Sequence, residues 1–183
     1  MTSLRPDNSV DLSHPRIYLR AVEPADASLL YGVENDTDAW GSADTVAPYS
    51  MFALQRYAET CSADPFADGQ LRMIAAISGR PEEAVGIPDF YEITAIHSHA
   101  WIGIYILPAF RGKGYAHEII SLAIGFARQR LRLDNLGARI LASNTTSLHL
   151  FEGCGFSLRG TLPSWRFAEG SMQDLHILTI TIA

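Results

Sequence analysis

The chain has 183 residues, of which 48% are hydrophobic, and its formal net charge is −6 at pH 7. This length and composition fit one domain with one sizeable core, which we predict over residues 16–183 after a flexible segment at 1–15. The negative charge disfavours nucleic acid as the main partner and suits a cationic one. The apolar runs are far shorter than the roughly 20 residues that cross a bilayer, and the first dozen residues do not read as a signal peptide. We therefore expect a cytoplasmic protein with no membrane partner.

The N-terminal third predicts a strand over 17–22 and helices over 24–35 and 48–60, with Pro24 and Pro48 near the helix starts. This region has no Lys or Arg between Arg20 and Arg56. Its acidic side chains either attract a cation over a distance or lie on a solvated helix face, and the sequence leaves both interpretations open. The acidic residues are Glu23, Asp26, Glu34, Asp36, Asp38 and Asp44.

The middle of the chain predicts strands over 71–78 and 85–94, followed by a central strand over 101–107. Pro88 interrupts the second of these strands and indicates a bulge or a sheet edge. Gly103 is a natural position for a kink that separates the central strand from a neighbour. Backbone groups beyond such a kink are left free to bind an amide-rich ligand as a missing strand would.

The strongest chemical signal is the turn Arg111-Gly-Lys-Gly-Tyr-Ala116, which joins the central strand to a helix predicted over 115–131. Two glycines allow backbone conformations that a Cβ obstructs, so the free N–H groups of the first helical turn can face a ligand. Together with the positive end of the helix and the side chains of Arg111 and Lys113, these donors predict an anion site suited to phosphate. The spacing matches neither a P-loop nor a Rossmann fingerprint.

A second motif follows a short strand predicted at 139–143: Asn144-x-x-Ser147-x-x-x-Phe151, and then Gly-Phe at 155–156. In this order, and one helix and one strand apart, the two motifs resemble the GNAT superfamily of acetyl-CoA-dependent N-acetyltransferases. The resemblance runs roughly from residue 17 to the C-terminus. Within the superfamily, the segment from Gly86 and the closing Arg-Gly-Thr-Leu are similar to the spermidine and ribosomal-protein N-terminal acetyltransferase branch.

The resemblance implies an α/β (α+β) fold of one domain, with a central, mostly antiparallel mixed sheet that is splayed at its middle and flanked by helices. It also implies acetyl-CoA as co-substrate, and an acceptor pocket walled by the acidic N-terminal region. Trp40 and Tyr49 are either aromatic faces of that pocket or core residues. Asn144 is either a helix N-cap or a pantetheine ligand. The cofactor contacts implied are Ile104, Tyr105 and Ile106 for pantetheine, Arg111, Gly112, Lys113, Gly114, Tyr115 and Ala116 for the pyrophosphate, and Asn144 and Phe151.

Acetyl transfer to an amine requires a neutral nitrogen, whereas an alkylamine has a pKa of about 10.4 and arrives protonated. In the family a carboxylate takes this proton through water, and Glu92 is the best-placed candidate, the alternative being an ordinary exposed strand glutamate. The carboxylate that many relatives carry early in the central strand is replaced here by residues 101–103. Where relatives place a tyrosine that protonates the sulfur, this chain has Phe151. Water or Ser147 would take that role, which is typically worth about 10²–10⁴-fold.

We therefore expect an enzyme that transfers acetyl directly from acetyl-CoA to a primary amine: a polyamine or diamine, another small amine, or a protein N-terminus. The alternative is a non-catalytic acyl-CoA-binding or sensing module of the same fold, suggested by Phe151 and the missing carboxylate. Cys61 and Cys154 lack metal or disulfide spacing, and His97 and His99 lack a third ligand, so no metal is expected. Exposed strand edges favour a homodimer.

Overall fold

The computed structural model describes residues 15–43, 45–61 and 64–183, so the predicted segment at 1–15 lies outside the described residues except for its last position. Seven strands form one sheet. They are β1 (Ile17–Ala21), β2 (Gln70–Ile77), β3 (Arg80–Thr94), β4 (His99–Ile106), β5 (Asn135–Leu141), β6 (Ser157–Ala168) and β7 (Ser171–Thr181). The helices are α1 (Ala27–Glu34), α2 (Thr37–Ala43), α3 (Met51–Thr60), α4 (Pro65–Asp68), α5 (Tyr115–Phe126) and α6 (Thr145–Gly153).

The sheet has the strand order β1-β2-β3-β4-β5-β7-β6. Only β4 and β5 run parallel, and the other neighbours are antiparallel. Helices cover both faces, because successive strand residues point to opposite sides. Ile74 packs in a cluster with α1 and α3, whereas Ala75 packs in a cluster with Ile119 of α5. The predicted mixed, mostly antiparallel sheet flanked by helices is confirmed.

The sheet splits between its two parallel strands. β4 pairs with β5 only from His99 to Trp101, opposite residues 135–137, and then runs on alone on that side to Ile106. On its other side β4 stays paired with β3 as far as Ile106. The indole of Trp101 lies against Gly137, where an added Cβ would come within 2.6 Å of the ring. The predicted splay is confirmed, and pairing ends at Trp101, two residues before the predicted kink at Gly103.

Some local predictions need correction. Pro88 does not lie at an edge, because β3 is flanked by β2 and β4, and Pro88 itself is opposite Ile104. The strand predicted at 139–143 begins at Asn135 and ends at Leu141, because the buried alternation of Leu136, Ala138 and Ile140 starts earlier. The helix α2 was not predicted. No helix in the described ranges has both the length and the apolar character needed to cross a membrane.

Candidate active site

A cleft of about 440 Å³ opens where β4 and β5 part. Its floor is formed by the two diverging strands, and one wall is formed by the start of α6. The opposite wall comes from β2, β3 and the N-terminal helices. Residues from all of these elements line the cleft, among them Glu34, Trp40, Tyr49, Arg72, Asp89, Tyr105, Arg139, Asn144, Ser147, Phe151 and Arg166.

The free half of β4 borders this cleft. Ile104 and Tyr105 line it, and they, like Ile106, keep ladder partners in β3 but have none in β5. The Tyr105 hydroxyl donates a hydrogen bond to Asp36, and the Arg111 guanidinium lies 5.5 Å from the Tyr105 ring centre. Burial, and then the bond to Asp36, raise the pKa of Tyr105 to about 12. The strand therefore has an unpaired side where a ligand strand fits.

The glycine turn before α5 is open. Gly112 and Gly114 have φ angles of 72° and 82°, which favour glycine, and both are exposed. A Cβ on Gly112 would meet nothing within 4 Å. Arg111 donates to the carbonyl of Ile106 at 3.0 Å and Lys113 to that of Ala109 at 2.8 Å, so both cations are folded against their own turn. The turn is therefore open at the start of α5, and its contact with a diphosphate stays a prediction.

The acidic wall of the cleft, formed by Glu34 and Asp89, is neutralised by an arginine of the chain itself. Arg72 donates to both Glu34 and Asp89, and Gln70 donates to both oxygens of Asp89 at 2.9 and 3.0 Å. Burial lowers the pKa of Arg72, but the nearby Asp89 and Glu34 charges outweigh burial and raise it. Of the other acidic residues, Asp26 binds Arg20. Asp36 binds Tyr105, Glu23 and Asp38 are exposed, and Asp44 lies outside the described residues.

Glu92 lies at an irregularity in the pairing of β3 with β4, with a left-handed φ of 49°. Its carboxylate accepts two hydrogen bonds from Arg139, at 2.6 and 2.8 Å. These bonds lower the pKa of Glu92, against a smaller opposing effect of burial. Arg139 lines the cleft and lies 4.0 Å from the Trp101 ring centre, whereas Glu92 is not among the lining residues. Its catalytic role stays a prediction.

The start of α6 places three sequence-predicted residues in the cleft. Asn144 accepts a hydrogen bond from the Ser147 N–H at 3.1 Å, so it is the helix N-cap, and its contact with pantetheine stays a prediction. Phe151 is buried and packs edge to face on Phe156 at 5.0 Å. Ser147 lies one turn before Phe151 on the same helix face. Because Phe151 has no hydroxyl, Ser147 supplies the hydroxyl group on this face of α6.

The cysteines take no part in this site. Cys61 and Cys154 are free thiols, and burial raises the pKa of Cys154 to about 11. A thiol with so high a pKa is a poor nucleophile at neutral pH. Within the described ranges, no three His, Cys, Asp or Glu side chains are grouped to hold a metal ion.

Sequence reasoning missed several residues around the cleft and the turn, among them Asp89, Arg139, Arg72 and Arg16. Arg72 occupies the centre of the acidic wall. Arg16, just before β1, contacts the glycine turn about 100 positions away in the chain. No motif spacing connects such distant positions, since they meet only when the sheet is assembled.

Comparison with known proteins identifies the architecture around this cleft. A family model described as an acetyltransferase (GNAT) domain matches residues 16–157. The chain belongs to the GNAT acetyltransferase family. The spermidine N(1)-acetyltransferase of Vibrio cholerae serotype O1 is 26% identical over 160 residues, which are 87% of this chain and 90% of that protein.

Solved structures of GNAT enzymes share the whole fold. The crystal structure of spermidine N-acetyltransferase from Vibrio cholerae in complex with CoA and spermine has a TM-score of 0.81 and 26% identity, covering 91% of this chain and 95% of that one. A dodecameric structure of the Vibrio cholerae enzyme in an intermediate state has a TM-score of 0.77 and 26% identity, covering 91% and 94%. The predicted N-acetyltransferase activity, with acetyl-CoA as co-substrate, is confirmed.

Proposed function

We propose that this GNAT enzyme acetylates a small primary amine that enters the cleft from the side of α1 and α2. The single observation that carries this is the cleft itself, which opens at the split between β4 and β5 and continues to a wall built from the N-terminal helices. Trp40 and Tyr49 line that wall. An amine between the wall and the split would face the free half of β4.

Acetyl-CoA supplies the acetyl group as a thioester. Along the split, Ile104, Tyr105 and Ile106 offer backbone groups to the pantetheine arm, with Asn144 and Phe151 opposite. At the end of β4, residues 111–116 offer backbone N–H groups to the pyrophosphate. This arrangement is supported by the open glycine turn and by the lack of a β5 partner for the second half of β4.

The proton that the amine loses passes through water to a carboxylate of the chain, which acts as general base while the nitrogen attacks the thioester. Glu92 is the candidate from the sequence, and Asp89 is the carboxylate of β3 that lines the cleft. The amine nitrogen then bonds to the thioester carbon and the carbon–sulfur bond breaks. The coenzyme A thiolate takes its proton from water, directly or relayed through the Ser147 hydroxyl, which regains its own proton from that water, since Phe151 has none to donate.

Spermidine is the first acceptor to test, because a relative that matches 87% of this chain and a solved structure that matches 91% of it are named for it. A second candidate is an amine that also carries a carboxylate or phosphonate. It is favoured by the charges of the cleft, where three arginines and two carboxylates stand among the described lining residues: Arg72, Arg139, Arg166, Glu34 and Asp89. Both of these carboxylates already bind Arg72.

The test is release of free coenzyme A from acetyl-CoA in the presence of an amine panel. The panel contains spermidine, spermine, a simple alkylamine, α-amino acids, an aminophosphonate and short peptides with free N-termini. We expect release with at least one small amine and mass-spectrometric detection of its acetylated product. Release with the short peptides but with no small amine would instead indicate a protein N-terminus as acceptor and contradict the proposal. A preference for the zwitterionic members over spermidine would select the second candidate.

We further propose that copies of the chain associate through the hairpin of β6 and β7. Large apolar side chains are exposed on it to between 50% and 68%, namely Leu158, Trp165, Phe167 and Met172. Phe167 is directly opposite Met172 in the strand register, so their side chains share one face. A relative solved as a dodecamer supports assembly of this kind.

A further inference from the structure

A buried carboxylate lies beneath the glycine turn. Glu118 is in the first turn of α5, four residues after Gly114, and is only 3% exposed. Its Oε2 atom is buried and has no hydrogen-bond partner. A negative charge so close to an anion site repels a phosphate unless another group compensates it.

Arg16 is that group. Its guanidinium donates two hydrogen bonds to Oε1 of Glu118. The same side chain lies 3.3 Å from the carbonyl oxygen of Lys113, 4.5 Å from the Tyr115 ring centre, and 3.5 Å from the position that a Cβ on Gly114 would occupy. One arginine therefore contacts Lys113, Tyr115 and the carboxylate of Glu118, and its side chain lies beside Gly114.

Because Arg16 and Glu118 differ in exposure, Glu118 depends on the ion pair more than Arg16 does. The Arg16 side chain is 52% exposed and that of Glu118 is 5% exposed. Leaving the buried carboxylate without its cation is costly, whereas a half-exposed arginine is well solvated alone. The other cations of the turn, Arg111 and Lys113, donate to backbone carbonyls and make no contact of this kind with Glu118.

We propose that Arg16 is a positioning residue for acetyl-CoA binding: it fixes the backbone at 113–115 and cancels the charge of Glu118, so that the diphosphate can occupy the turn. The inference rests on the proposed function, in which residues 111–116 hold the pyrophosphate. It adds a residue from before β1 to a site otherwise formed by one continuous segment.

The experiment compares two ligands across four proteins. Dissociation constants for coenzyme A and for pantetheine, which lacks the phosphates, are measured by calorimetry for wild type, Arg16→Gln, Glu118→Gln and the double variant. We expect Arg16→Gln to weaken coenzyme A about tenfold, a change typical of one charge-assisted contact. Pantetheine binding should stay unchanged. The double variant should recover most of the loss, because it no longer carries an uncompensated carboxylate.

Kinetics provide a second readout. In Arg16→Gln the KM for acetyl-CoA should rise about tenfold while kcat changes less than twofold, since no reacting atom is touched. Equal losses for coenzyme A and pantetheine, or no recovery in the double variant, would overturn the role of Arg16. If the single variant does not fold, Arg16→Lys replaces it. That variant should weaken coenzyme A binding a few-fold and leave pantetheine binding unchanged, because it keeps the charge but loses the planar guanidinium contacts. A wild type that binds pantetheine as tightly as coenzyme A would instead overturn the proposed diphosphate site.

Discussion

Asp89 and Glu92 lie three residues apart on β3, and their surroundings give them different chemistry. Asp89 lines the cleft and is held by Arg72 and Gln70. Glu92 is more exposed, is paired with Arg139, and has a lowered pKa. It stays ionised throughout the neutral range. A loss of activity as the pH falls through 7 would therefore not come from protonation of Glu92.

We expect Asp89→Asn to lower kcat/KM about a hundredfold or more, the usual loss on removal of a general base, and Glu92→Gln to lower it less than about tenfold. Initial rates with the best amine of the panel, measured from pH 6 to 9, check this. The matched control is Glu34→Gln, because Glu34 shares Arg72 with Asp89. If Glu34→Gln is as damaging as Asp89→Asn, the loss comes from Arg72. If Glu92→Gln is the slowest of the three, Glu92 is the base, as the sequence suggested.

The join between β4 and α5 is the element on which cofactor binding depends in our proposal. The strand brings its free backbone groups to the cleft, and the turn that follows exposes the start of the helix. Gly112 has a left-handed φ, which by itself favours glycine. No atom of the described residues would clash with a Cβ at this position. In our proposal the missing side chain also leaves the main chain open to the cofactor.

Gly112→Ala should weaken coenzyme A binding about tenfold or more, because the new methyl group stands where the diphosphate must approach and the backbone angle is strained. Calorimetric titration measures the affinity and a thermal melt measures the strain. Gly79→Ala is the control: Gly79 also has a left-handed φ, 81°, and open surroundings, but it lies in the turn between β2 and β3. It should lower the melting temperature to a similar extent and leave coenzyme A binding unchanged. Equal effects on binding would show that backbone strain alone is responsible.

At the scale of the whole molecule, the sheet has two edges, β1 and β6, and β6 is disrupted as an edge. Pro163 lies within it, Ser164 has a φ of 47°, and its register with β7 shifts between Leu162 and Arg166. Such features discourage edge-to-edge pairing of strands. The apolar face of the hairpin, rather than its edge, is therefore the surface we expect to meet a second copy.

Replacing Trp165 and Phe167 together by Glu should shift the protein to a smaller assembly, because two charges would have to be buried in the interface. Sedimentation velocity at several concentrations measures the masses. Ile96→Glu is the control, since Ile96 is 85% exposed in the turn before β4 and lies outside the hairpin. An unchanged mass in the double variant, or the same shift in the control, would contradict self-association through the hairpin.

Local patterns in the sequence determined much of the architecture. The apolar periodicity of α5, the glycine turn and the Asn144 segment are each formed by neighbours in the chain. Together they predicted the family and, through it, the splayed sheet, whereas the cofactor contacts stay a prediction. The N-cap at Asn144 is equally local. Such features can be predicted because backbone geometry and the placement of buried side chains depend on residues a few positions apart.

Only the tertiary structure decided which charges meet. The acidic N-terminal region looked like a surplus of negative charge, but Arg72, 38 positions from Glu34, pairs with that carboxylate. Arg16 reaches Glu118 across 102 positions, and Arg139 ties back Glu92 across 47. Electrostatic energy depends on distance and burial, not on sequence separation, so the sequence supplied the charged groups and the folded sheet determined which of them remain to act on a ligand.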